Sequence, residues 1–286
     1  MARNRISFEG GVALRCAAFA AAMLMAACAP DTPHSRTPGD APTIVSLNPC
    51  LDAILVEIAG PDQVLALSHY SRDPSGSSIP AATAARYGVT GGTAEEVIAL
   101  RPDLVLASIY LPQPTRTALE RAGLTVATFG SPVTIAESAA QVREVATLAG
   151  HASQGAMLAA RIAAAPRPSP SHTPINALLW QPGEIVAGEQ TLIAELLHQE
   201  GFASHGAARG LKQADRVTLE GLLSEPPELL LVAGDAPGQR HPLLARASPG
   251  MQVAAFDPAL LYCGGPTIPR ARARLRAIRA EAERSL

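Results

Sequence analysis

From Thr43 onward the chain alternates short apolar runs with helical patterns, and this alternation constrains its fold more than any other feature. "IVSL" (44–47) reads as a strand. "NPCLDAILVEIAG" (48–60) follows as a helix, with Asn48 a suitable N-cap, Pro49 at the first helical position and Gly60 just past the end. The strand "VLALS" leads into a polar loop, "HYSRDPSGSS". Then come the strand "LVLAS", the helix "TRTALERAG", the strand "TVATF" and the helix "TIAESAAQVREVATLAG". After "PRPSPSHTP" a second series begins, with the strand "INALLW", the helix "TLIAELLHQEGF", the strands "ELLLVA" and "QVAAF", and an arginine-rich closing helix. Strand–helix alternation of this kind builds mostly parallel sheets covered by helices. The expectation is an α/β chain of two lobes, 43–150 and 169–286, joined by a single connecting helix and turn over 151–168. Its helical part, "ASQGAMLAARIAAA", spans about 21 Å if fully helical.

The two series share a phrase. "TAEEVIALRPDLVLA" (93–107) and "TLEGLLSEPPELLLVA" (218–233) both run Thr-x-Glu, an apolar helix turn, proline, an acid and an apolar strand. Each lobe therefore carries a helix start with a glutamate two residues in, Glu95 and Glu220. In the first copy Thr93 and Glu96 have capping-box spacing, so Glu96 is expected to reach back and close the helix start. Gly91 and Gly92 let the chain turn tightly just before it.

Ahead of these lobes, "MARNR" is a basic n-region, "CAAFAAAMLMA" a short apolar h-region, and "MAAC" ends in small residues before Cys28. About ten apolar residues are too few to span a bilayer. Residues 1–28 read as an export signal and 29–42, rich in Pro, Thr and Ser, as a flexible tether. Export leaves Cys50 and Cys263 of the 4 cysteines in the lobes. They admit a lobe-bridging disulfide, a ligand- or metal-facing thiol, or inert burial.

The formal net charge of −2 argues against nucleic acid as the partner. The cluster Arg270, Arg272, Arg274, Arg276 and Arg279 reads as the solvated face of a terminal helix, with Leu275 and Ile278 turned inward. No nucleophile elbow, His-Glu-x-x-His, Walker loop or dinucleotide fingerprint occurs, and the cysteine spacing fits no structural zinc site, so neither an enzyme nor a metal centre is expected.

Only 3% of residues are aromatic, which makes their positions informative. Tyr70, Tyr110, Trp180 and Tyr262 all fall at or just past the carboxyl end of an expected strand, two to each lobe. Open parallel sheets present those ends to a crevice, so the four rings are candidate walls of an interlobe cleft. Asn48, Cys50, His69, Arg72, Gly91, Gly92 and Cys263 are candidates on the same grounds. Arg86 and Arg209 are further cations that could meet an anionic ligand.

The export signal, "IVSLNPCLDAILVEIAGPDQVLALS", "TGGTAEEVIALRPDLVLAS" and the helix joining two α/β lobes together resemble the substrate-binding proteins of bacterial ABC importers. The likeness is to the helix-linked class that captures vitamin B12, haem or ferric siderophores. "LMAAC" likewise resembles a lipobox, with Met25 where leucine is usual, which implies lipidation at Cys28 or ordinary cleavage nearby. The resemblance implies a periplasmic, lipid-anchored monomer without catalysis or cofactor. Such a protein holds a bulky metal chelate (cobalamin, haem or ferric siderophore) between its lobes and docks on an inner-membrane permease through Glu95 and Glu220. The rivals are an exported metal- or thiol-dependent enzyme using His69, Cys50 and Cys263, and a lipoprotein scaffold with no ligand.

Overall fold

A computed structural model describes residues 41–163, 173–211, 214–244 and 250–285. The export signal with Cys28, most of the tether and the end of the connecting segment lie outside the described residues.

The first sheet is wholly parallel. It comprises β1 (Ile44–Ser46), β2 (Val64–Ser68), β3 (Val89–Thr90), β4 (Leu104–Ser108) and β5 (Thr125–Phe129), in the order β3-β2-β1-β4-β5. The strands are linked through α1 (Pro49–Ile58), α2 (Ala81–Ala84), α3 (Ala94–Leu100) and α4 (Gln113–Arg121). Strand order reverses at β1, so a crevice opens beyond the carboxyl ends of β1 and β4. Asn48 caps α1 as its sequence demands, accepting from the N–H groups of Cys50 and Leu51.

From β5 the chain enters α5 (Ile135–Leu148) and α6 (Ala152–Ala163), which pack against each other. The connecting helix is therefore no free strut. It lies on the first lobe and reaches the closing helix of the second.

The second sheet follows the path β11-β10-β6-β7-β9. Its strands are β6 (Ile175–Trp180), β7 (Ile185–Ala187), β9 (Ala214–Arg216), β10 (Leu229–Ala233) and β11 (Gln252–Phe256), and β8 (Phe202–Ser204) also pairs with β6. β6, β8, β10 and β11 are parallel, whereas β7 pairs antiparallel with both β6 and β9. The helices are α7 (Leu192–Gln199), α8 (His205–Ala208), α9 (Leu219–Ser224) and α10 (Ile268–Ser285). The repeated phrase lands on equivalent elements. Thr93 and Thr218 cap α3 and α9 through their hydroxyls, and β4 and β10 each pair in parallel with the first strand of their sheet.

One apolar core runs through both lobes, from Ile44 and Leu106 through Val142 to Leu179, Leu229 and Leu275. On α10, Leu275 and Ile278 point inward as expected, but the arginines correct the reading of a solvated face. Arg272 is 1% exposed and pairs with the equally buried Glu200 (3.2 Å), while Arg276 approaches the same carboxylate at 3.6 Å. Arg279 donates to the carbonyls of Thr173 and Gly201. The reason is geometric. Residues 272 and 279 sit seven apart, on the same face as Leu275, where Arg272 meets the side chains of Gln199 and Glu200 at the end of α7 and Arg279 the carbonyls of Thr173 and Gly201.

Candidate functional site

A pocket of about 170 Å³ opens between the lobes. The first lobe supplies Asn48, Cys50, Leu51 and Ile54 of the α1 region, the loop Phe129–Pro132 past β5, and Gln141 of α5. The second supplies Leu192 and the run Leu261 to Gly264. Gln141 steadies its own neighbours by donating to the Gly130 carbonyl at 2.8 Å.

Cys50 and Cys263 form a disulfide within this lining, so a bond crosses from lobe to lobe. Of the three states left open by the sequence, the bridged one holds. Both sulfurs are thereby removed as nucleophiles and as soft metal ligands, which takes the chemistry out of the thiol-enzyme alternative. Tyr262, 40% exposed, stands beside the bridge. Burial pushes its phenol upward, and the charges of Asp257 and Asp73 add to the push.

Other candidates stand along the same carboxyl edge of the first sheet without lining the pocket. His69 and Tyr70 share a 3-10 turn directly after β2, their rings tilted at 35° with centres 4.0 Å apart. Tyr70 is 54% exposed, and Tyr110, just past β4, is 80% exposed. Arg72 spends its guanidinium on the Tyr87 carbonyl at 2.7 Å. Arg209 faces Glu225 at 3.5 Å. Gly92 takes a φ of +86° that favours glycine.

Trp180 is a correction. It is 1% exposed, donates its Nε1–H to the Val217 carbonyl at 2.9 Å, and packs with Leu178, Leu222 and Leu230 away from the interlobe pocket. Proximity to a strand end does not specify a face, and this ring falls on the buried one.

Glu96 also departs from the expected capping box. Thr93 Oγ1 accepts from the Glu96 N–H, yet the Glu96 carboxylate reaches past the cap to Thr90 Oγ1 (2.8 Å) and the Gly91 N–H (2.6 Å). These bonds, Thr90 foremost, hold its carboxyl below the usual range. Glu96 thus fastens the glycine turn. Glu95 and Glu220 are both exposed at the second residue of their helices, and among the described residues neither has a hydrogen-bond or ion-pair partner.

Sequence reasoning missed Asp52. This α1 carboxylate is fully buried, and its Oδ2 accepts from Ser68 N–H (2.9 Å), Ser68 Oγ (2.7 Å) and Ser71 Oγ (2.6 Å). Burial pushes it up to about 7, with the serine hydrogen bonds pulling the other way. The two serines bracket His69 and Tyr70, so Asp52 ties that aromatic turn to α1. An acid within an apolar helical run was the available signal. The loop Phe129–Pro132 was also missed, although "FGSP" follows a strand end where the crevice rule places ligands.

Among the described residues no group of three His, Cys, Asp or Glu stands together to hold a metal ion, and no helix is long and apolar enough to cross a membrane.

Two α/β lobes, a helix packed between them and a pocket at their junction define a two-lobe binding protein. The chain belongs to the periplasmic binding protein family, whose model matches residues 44–249. This is a family of binding proteins, and it indicates a periplasmic location. Among solved structures, the chain is similar to the periplasmic heme-binding protein BhuT in complex with two hemes. That match has a TM-score of 0.65 and 22% identity, covering 85% of this chain and 99% of that one. It is also similar to the periplasmic vitamin B12 binding protein BtuF of Vibrio cholerae (TM-score 0.64, 19% identity, 85% and 98% covered). The periplasmic heme-binding protein HutB of Vibrio cholerae matches with a TM-score of 0.66 and 17% identity, covering 82% and 98%. No curated protein sequence matches the chain.

Proposed function

We propose that the protein is the substrate-binding component of an ABC importer, capturing a bulky metal chelate between its lobes without catalysing any reaction on it. The observation that carries this reading is the interlobe pocket at the carboxyl edge of the first sheet, with Tyr262 in its lining and the exposed rings of Tyr70 and Tyr110 at the carboxyl ends of β2 and β4. Flat rings offer large apolar area at small entropic cost and suit a tetrapyrrole or corrin face. The ligands named for BhuT, HutB and BtuF, heme and vitamin B12, share that shape. Ferric siderophores remain in the same size class. A chelate also brings its own metal ligands, so the protein need supply few. In this reading Asn48, His69, Tyr70, Tyr110 and Tyr262 contact the ligand, Gly91 and Gly92 shape the turn, and Cys28 anchors a monomer to the membrane.

Delivery is assigned to Glu95 and Glu220. Each is an exposed acid at the start of a helix, one per lobe, suited to cations on a permease. Protein purified from its native periplasm should carry a chromophore identifiable by absorption and mass spectrometry. The double variant E95K/E220K should lose uptake of that ligand in cells while keeping its affinity in solution. Normal uptake by this variant would remove the docking assignment, and recovery of no chelate would remove the ligand class.

A further inference from the structure

By chain order the segment from Asp257 to Thr267 belongs to the second lobe, joining β11 to α10, yet it is fastened to the first. Cys263 is bonded to Cys50 at the start of α1, with Cα atoms 5.0 Å apart and 213 residues between them. Two residues on, the Gly265 N–H donates to Ser138 Oγ of α5 at 2.6 Å. Gly265 has a φ of +61°, and a Cβ there would stand 3.4 Å from Ile54 Cγ1. The turn therefore lies flush on α1 and α5. Tyr262 immediately precedes the bridge, lines the pocket and senses the charge of Asp73 on the first lobe.

We propose that the Cys50–Cys263 cystine is a positioning element for ligand binding, which makes Tyr262 a wall of the first lobe and renders the site thiol-sensitive. This rests on the proposed binding function. A dithiol opens the bridge by thiolate attack on one sulfur, giving a mixed disulfide and one cysteine thiolate that takes up a proton. The second thiol of the reductant then displaces the other cysteine. The protein gains two electrons and two protons, and the reductant leaves as a disulfide. The tie across the cleft then rests on the Gly265 hydrogen bond to Ser138 and on packing, and the Tyr262 ring samples orientations that do not match the opposite wall.

Two measurements test this. The first needs no ligand: amide hydrogen exchange of the oxidised protein and of protein reduced with dithiothreitol. Exchange across 257–267 should rise about tenfold or more on reduction, while β1 and β4 keep their protection. Unchanged exchange there overturns the proposal, and so does loss of protection throughout, which would make the bridge a global staple instead. The second measures the affinities of hemin and cyanocobalamin for the oxidised wild type, C50S/C263S, Y262A and the triple variant. Whichever probe the wild type binds should bind C50S/C263S and Y262A about tenfold more weakly each, and the triple variant no more weakly than either. Additive losses, or an unchanged affinity in C50S/C263S or in Y262A, overturn the positioning role. If neither probe binds the wild type, the tetrapyrrole and corrin ligands fall, and the exchange result still decides whether the bridge holds Tyr262.

Discussion

Asp52 offers a quantitative prediction because its carboxyl, raised to about 7 by burial, stands far from the 3.8 of an aspartate in the unfolded chain. Below pH 4 both states are protonated, and the group contributes its full stabilisation. Between pH 4 and 7 the unfolded chain ionises freely while the folded chain retains the proton, so stability falls as pH rises. Above pH 7 both are charged and the slope vanishes. The gap of about three pH units corresponds to about 4 kcal/mol lost across the window. The variant D52N keeps an acceptor for Ser68 and Ser71 but cannot ionise. Urea unfolding followed by far-UV circular dichroism at pH 5 and pH 8 gives the comparison. The wild type should lose about 3 kcal/mol more than D52N over that interval. His205, whose pKa burial lowers, titrates in both proteins and cancels in the difference. Parallel pH dependence in the two proteins would refute the argument, because a carboxylate already charged at pH 5 has no proton left to lose.

Two further substitutions check corrections to the sequence reading. Trp180→Phe removes the hydrogen bond to Val217 and part of the packing, so chemical denaturation should show a loss of about 1–3 kcal/mol, with hemin or cyanocobalamin affinity unchanged. An affinity change would return Trp180 to the ligand site. Arg272→Ala leaves Glu200 buried with only the more distant Arg276, and should cost about 3–5 kcal/mol in the same assay. A neutral result would show that the arginine face of α10 is solvated after all.

The first lobe was legible because its strands are continuous apolar runs and its helices announce themselves with caps, as at Asn48, Thr93 and Thr134. β3, with two residues, and β7, β8 and β9, with three each and no extended apolar run, went unread, whereas the equally short β1 was read from its continuous apolar run. The site was legible by position along strands but not by direction. A strand-end ring can face either side of a sheet, so Tyr110 emerges while Trp180 is buried. The bridge was undecidable because 213 residues separate its cysteines, and spacing says nothing about distance once the chain has folded. The α10 arginines misled for a related reason. A guanidinium reads as solvent-seeking until the carbonyls and the carboxylate that receive it come from other elements.

The apolar core that passes through both lobes without a break has a consequence for how the molecule comes apart. Neither half owns a complete interior, because the layer formed by α1, α5, α6, α7 and α10 is packed from both sheets at once. Heat or denaturant cannot melt one lobe and leave its companion standing, so the loss of structure is a single cooperative event. A chain cut within the connecting segment and reduced at Cys50–Cys263 yields two pieces, each with an exposed oily face, whereas with the bridge intact the two halves stay tied together.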